Sequence, residues 1–169
     1  MEWTKFVRKK RIEKRLSVEL APITIRSKSL FQEYMKNNRF KEWSIIKEEL
    51  LQKEGPICWI CGKESLQLHI HEFWDYNDEE NTSSLREIHH LCDMCHKLKR
   101  TDFWFFTDYG KEQLKMLGLC REDLINHFCK VNNCSLEDFS KQWSSAIKLW
   151  KKRSQFDWQQ DFGKYQLKF

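Results

Sequence analysis

Cys58 and Cys61, and then Cys92 and Cys95, form two C-x-x-C pairs thirty residues apart. A C-x-x-C turn presents two thiolates from one tight knuckle, and zinc takes four ligands in a tetrahedron. Two such knuckles complete a closed structural site, and Gly62 directly follows the first of them. Histidines stand close by, in H-I-H-E-F-W-D-Y over 69–76 and at His96, the residue after Cys95 in L-C-D-M-C-H-K-L-K-R over 91–100. His69 and His71 are two apart, so on a strand they share a face. His96 would come from a helix that the second knuckle anchors against them. With four sulfurs serving the zinc, three imidazoles are left for a second metal or for proton transfer near neutral pH.

These residues need elements to position them. Leu66 to Trp74 alternates as a strand, with Leu66, Leu68 and Ile70 on one side and Gln67, His69 and His71 on the other. The run D-Y-N-D-E-E-N-T at 75–82 reads as a polar loop, and Leu85 to Leu91 as the returning strand. Asp93 opens a short helix that carries Cys95, His96, Lys99 and Arg100. A two-stranded hairpin is marginal by itself in water. Zinc coordination, worth on the order of 10 kcal/mol in small zinc peptides, would make it rigid.

Upstream, helices are predicted over Ser29–Lys36 and Phe40–Lys53, the second with Trp43, Ile46 and Leu50 on one face and stopped by Gly55-Pro56. A-P-I-T-I around Pro22 reads as extended. Downstream, T-D-F-W-F-F-T-D-Y at 101–109 is an aromatic connection that packs on the core, with base stacking as its alternative use. A helix is centred on 122–131, where His127 reads as an ordinary helix residue. Another starts at Ser135 with Asp138 completing its cap, and points Leu136, Phe139, Trp143, Ile147 and Trp150 at the core. Cys120, Cys129 and Cys134 read as small core residues. The fold class expected is α+β: a zinc-stapled ββα core over 58–100, wrapped by a basic helical segment (1–57) and a helical segment (101–169) in one compact domain.

The net charge of +5 is unevenly distributed. Residues 1–57 carry fourteen Lys and Arg against eight acids, 58–100 five against eight, and 101–169 eleven against nine. A basic arm beside an acidic, metal-bearing centre suits a protein that holds phosphates with one part and cations with the other. Trp3, Phe6, Ile12 and Leu16, set among cations, are either that arm or one face of a first helix. The chain has no long apolar run for a membrane span, and its charged first residues do not resemble a signal peptide. Seven cysteines then point to metal binding in a reducing compartment, and a cytoplasmic location is expected.

C-x-x-C-G, H-x-H-E-x-W-x-Y and L-C-x-x-C-H-x-x-K together resemble the HNH nuclease superfamily, whose site is a ββα-metal finger. More narrowly, it resembles small stand-alone bacterial HNH-type proteins. V-E-L-A-P at 18–22, K-V-N-N-C-S at 130–135, W-K-K-R-S at 150–154 and F-D-W at 156–158 extend the likeness outward. The resemblance implies a DNA endonuclease that uses Mg²⁺ or Mn²⁺ beside the structural Zn²⁺ and leaves 5′-phosphate and 3′-hydroxyl ends. It implies His71 as general base, His69 as auxiliary or metal ligand, and His96 as holder of the catalytic cation. Glu72 would act from a bulge or behind the ligands, and Arg100, Lys99 and Lys97 would face the phosphate. Three departures are present. Arg100 stands where many of these proteins have histidine, and no middle Asn precedes Cys92, with Glu87 near its place. I-H-H-L adds His89 and His90, of which one is expected to face solvent and either could supply a ligand. These departures motivate the second reading, a non-catalytic zinc module that binds nucleic acid or a protein.

Overall fold

The computed structural model describes residues 16–168, so the expectation for Trp3, Phe6 and Ile12 lies outside the described residues. Helix α1 (Leu30–Lys36) starts at a capping box: Ser29 Oγ accepts from the Gln32 amide, and the Gln32 side chain accepts from the Ser29 amide. Helix α2 (Phe40–Glu54) ends at Gly55, whose φ of 71° is a conformation that glycine tolerates best. Ahead of them the A-P-I-T-I segment turns rather than extends. The amides of Ile25 and Arg26 both donate to the Pro22 carbonyl, at 3.1 and 3.0 Å. Pro22 stands at the first position of the turn, where its carbonyl accepts, and these local hydrogen bonds prevail over an extended path.

Strands β1 (Leu68–Asn77) and β2 (Thr82–Cys92) pair antiparallel, with a bulge between Phe73 and Trp74. The polar run predicted as a long loop is half strand. Its turn is confined to 78–81, where Asn77 Oδ1 accepts from the amides of Glu79 and Glu80 and Asn81 takes a φ of 52°. Leu66, placed on the strand from sequence, falls before it and is fully exposed. A third strand, β3 (Gln159–Asp161), pairs parallel with Thr82–Ser84. Its three polar residues carry no alternation to read. The sheet order is β1-β2-β3, which leaves β1 as an edge and β2 in the centre.

Helices α3 (Asp93–Lys99), α4 (Thr101–Phe106), α5 (Asp108–Met116), α6 (Arg121–Asn132) and α7 (Leu136–Arg153) complete a mixed α+β fold of seven α-helices and one three-stranded sheet among the described residues. Segment 101–106, expected as a connection, is helical because Thr101 continues almost directly from α3 and Phe105 turns inward. One apolar cluster joins Phe73 and Leu91 of the hairpin to Leu98, Leu124 and Phe128. The other joins Ile88 to Leu30, Tyr34, Leu50 and Phe162 on the opposite face. The α7 stripe is only partly core-facing. Phe139 is buried, Trp143 is half-buried against Phe105 and Phe106, and Leu136 is 61% exposed in the first turn. Cys120 is also exposed and caps α6 with Asp123, whereas Cys129 and Cys134 are half-buried against the first cluster. Arg153 forks onto both carboxylate oxygens of Asp78 at 2.8 and 2.7 Å, and Trp158 packs on Tyr76, so the hairpin tip is held by the far end of the chain. Among the described residues no helix is long and apolar enough to cross a membrane.

Candidate metal centre and histidine cavity

The first knuckle is a miniature hairpin. The Cys58 amide donates to the Lys63 carbonyl, the Gly62 amide donates to the Cys58 carbonyl, and Ile57 bridges to Glu64. Gly62 sits at a φ of 76°, where a Cβ would strain the turn. The Trp59 amide donates to the His90 carbonyl at 2.8 Å and ties this knuckle to β2. The second knuckle straddles the start of α3, with Cys92 as its N-cap and Cys95 in its first turn, where the helix dipole favours thiolate.

The four sulfurs lie within 4.8 Å of one another, and the Cys61 and Cys92 sulfurs are 3.6 Å apart. A zinc–sulfur bond of about 2.3 Å implies tetrahedral edges of about 3.8 Å, so the spacing and the donor chemistry fit a metal such as zinc. Cys58 and Cys95 are wholly buried. S–H donation from its three neighbours holds Cys58 far below the ordinary thiol range. Cys61, against its contact with Cys58, is brought to about 7 by donation from Cys92 and Cys95, which are pushed up because they donate to the other two. A set in which two thiols ionise readily and two resist needs a cation to ionise further.

His127 Nε2 lies 3.3 Å from Cys95 Sγ. Nothing at helical spacing distinguishes that histidine from a surface residue, since the contact joins segments 32 apart in sequence. Its N–H is placed to donate to a metal-bound thiolate, a kind of support whose loss typically costs about 10–100-fold in affinity. His127→Phe keeps the ring and removes the donor. It is expected to lose metal faster to a chromophoric chelator, and an unchanged release rate would reduce the contact to packing.

His69 and His96 stack at 4.7 Å with their planes 7° apart, and His71 meets His96 edge-on at 5.7 Å. All three line a cavity of about 420 Å³ that wraps the free edge of β1. Burial, then the charges of Lys99, His96 and Arg100, push His71 well below the ordinary imidazole range. Burial also brings His96 down to about 4, with His69 and Arg100 adding to it. Both rings are therefore neutral at pH 7, the form that accepts a proton or offers a lone pair to a metal. His69 Nε2 is 3.6 Å from Asp93 Oδ1. Among the described residues only the four cysteines form a group of three or more candidate ligands within 4.8 Å, so the histidines are not a closed cage.

The remaining predicted residues divide. Arg100 lines the cavity with 44% of its side chain exposed, its Nε 3.7 Å from Asp102 Oδ1. Lys99 lines it as well, but its Nζ is buried and donates to Ser17 Oγ at 2.8 Å and Glu19 Oε1 at 2.9 Å. Lys97 does not line the cavity; it pairs with Asp93 and lies over the Trp104 ring at 4.7 Å. His89 and His90 are 3% and 5% exposed, so neither faces solvent, because Trp59 of the first knuckle and Glu54 at the end of α2 close over this part of β2. His89 stacks on Trp59 at 3.6 Å with its Nδ1 2.5 Å from Glu54 Oε1, while His90 lines the cavity.

Glu72 faces away from His71, as strand alternation requires, and the bulge falls one residue too late to turn it. Its Oε1 accepts from the Leu30 amide at 2.7 Å, fastening α1 to the strand edge. Burial pushes this carboxyl up to about 7 from 4.5, against the pull of the Leu30 amide, Trp74 and Arg100. The folded chain then keeps a proton that the unfolded chain has released. The stability this contributes is complete below pH 4.5 and is lost as pH rises through about 7. Glu72→Gln is uncharged at every pH, so its melting temperature should gain on the wild type across that window. A difference that does not vary with pH overturns this account.

Compared with protein-family models, curated proteins and solved structures, the chain matches none.

Proposed function

We propose that this protein is a metal-dependent HNH-type endonuclease that hydrolyses phosphodiester bonds in nucleic acid, DNA in the first instance. Its ββα core would be β1, β2 and α3, with zinc in the four-cysteine site. The observation that carries the proposal is the meeting of His71 from β1 and His96 from α3, 5.7 Å apart, in one cavity that Arg100 also lines. The two rings come from different elements, the strand β1 and the helix α3, which the paired knuckles and the first apolar cluster hold together.

In this reading His71 accepts the proton of the attacking water, for which a neutral imidazole is required. Arg100 holds the phosphate through charged hydrogen bonds. His96 and His69 would hold Mg²⁺ or Mn²⁺, which when bound offsets the charge that builds on the phosphate. Their open arrangement suits an ion that takes its remaining ligands from phosphate oxygens and water. The zinc takes no chemical part; it keeps α3 against the hairpin.

The test is metal analysis of the purified protein combined with plasmid incubation in Mg²⁺ or Mn²⁺. One equivalent of zinc and nicking that requires the added ion are expected. Absence of strand breaks under every divalent ion, with zinc in place, would leave the binding module. That second reading is favoured by one observation, the commitment of Glu72 to the Leu30 amide rather than to the histidines.

A further inference from the structure

The cavity is larger than the hydrolytic groups require. Away from the histidines its wall is Phe31 and Trp43, held edge to face at 5.5 Å, with Lys28 and Lys47 beside them. Phe31 is 48% exposed although the second apolar cluster lies directly behind α1. A half-exposed ring on a cavity wall that also carries lysines is poorly explained by packing, since the folded chain gains little from it in water. It is the arrangement that single-stranded nucleic-acid sites use, where rings stack on bases and cations follow the backbone.

Charge in the cavity points the same way. Glu19 is paired with Lys99, Asp102 lies by Arg100, and Glu72 is bonded to the Leu30 amide. Arg26, Lys28 and Lys47 make no ion pair with any described residue. The walls that carry acids are thus neutralised, and the aromatic wall keeps its cations. A volume of about 420 Å³ lies in the range of small-ligand sites and suits one nucleotide. His71 lines this same cavity, so a phosphate that reaches it enters the cavity. A phosphate in an intact duplex is flanked by a stacked base pair that cannot follow it in.

We infer that the cavity takes one unpaired nucleotide, its base against Phe31 and Trp43 and its phosphates toward Lys28, Lys47 and Arg100, and that the substrate is single-stranded or carries an extrahelical nucleotide. The chemistry rests on the nuclease reading, but the binding does not. The mode of entry is that of enzymes which take a base out of its stack before acting on it, at a cost that is least for a strand already unpaired.

The experiment measures binding to the full-length His71→Ala chain by fluorescence anisotropy at one fixed salt concentration. The probes are labelled oligothymidylate, oligouridylate and a perfectly paired hairpin of similar length. Either single strand should bind about tenfold or more tightly than the hairpin, and the stronger of the two identifies deoxyribose or ribose as preferred. Phe31→Leu, which keeps apolar bulk and loses the stacking face, should weaken single-strand binding about tenfold and leave hairpin binding unchanged. Phe31→Ala should do the same, with zinc content and circular dichroism confirming its fold. Equal binding of hairpin and single strands overturns the inference, as does single-strand binding indifferent to both Phe31 variants. Wild-type protein that cuts duplex plasmid but shows no single-strand preference removes this inference and keeps the nuclease. Protein that binds single strands through Phe31 yet cleaves neither plasmid nor oligonucleotide removes the nuclease and keeps the inference.

Discussion

Cys58→Ser and Cys95→Ser are expected to abolish cooperative unfolding of this protein. Both sulfurs are wholly buried, and they come from the two knuckles that bracket the hairpin. Structural zinc in small peptides contributes on the order of 10 kcal/mol. A native domain has only about 5–15 kcal/mol of stability in total, so loss of the ion consumes most of it. The first apolar cluster is built around the same residues, with Leu91, Leu98 and Phe73 adjoining Cys58 and Cys95. Thermal melts followed by circular dichroism and tryptophan fluorescence would read the loss. Stripping zinc from the wild type with a strong chelator should reproduce it, separating metal loss from the small change in side-chain packing. Cys120→Ser, at an exposed position, should melt as the wild type does. A Cys58→Ser protein with wild-type melting and a full equivalent of zinc would remove the metal centre from the account.

The second large effect concerns the histidines. On the proposed nuclease reading, His71→Ala should lower strand cleavage by about 10²–10⁴-fold, the usual contribution of a positioned general base, with metal content and melting temperature retained. His96→Ala should fall as far at low Mn²⁺ and recover in part as Mn²⁺ is raised, because its defect is in holding the ion. His71→Ala should show no such recovery, because more ion does not restore a proton acceptor. This difference in metal dependence separates the two roles more sharply than either rate alone. Cleavage that survives His71→Ala would remove that residue as the base.

The features readable from sequence were those set by local spacing. Two C-x-x-C pairs foretold four converging sulfurs, because the turn itself brings each pair together. The i, i+2 spacing of His69 and His71 foretold a shared face, and both rings do meet His96. Ser135 with Asp138 foretold the start of α7. What stayed hidden depends on distant partners. His127 acquires meaning only because α6 packs across α3, and Glu72 only because α1 starts beside the edge of β1. β3 is strand because β2 offers it free backbone groups, its own residues having little preference for extended structure. The solvent-facing expectation for His89 or His90 failed for the same reason: both are covered by residues distant in sequence, Trp59 and Glu54.

The parallel pairing of Gln159–Asp161 with Thr82–Ser84 bears on the order of events during synthesis. Asn132 likewise closes on Leu16, accepting from its amide at 2.9 Å and donating to its carbonyl at 2.8 Å. Contacts this far apart in sequence are slow to form, and the earlier segments must wait for the later ones to leave the ribosome. The knuckles can take up zinc once residue 95 has emerged, but the tip of the hairpin is not secured until residues near 160 follow. A nascent chain would therefore bring its four cysteines together well before the far end of the chain fixes the tip of the hairpin.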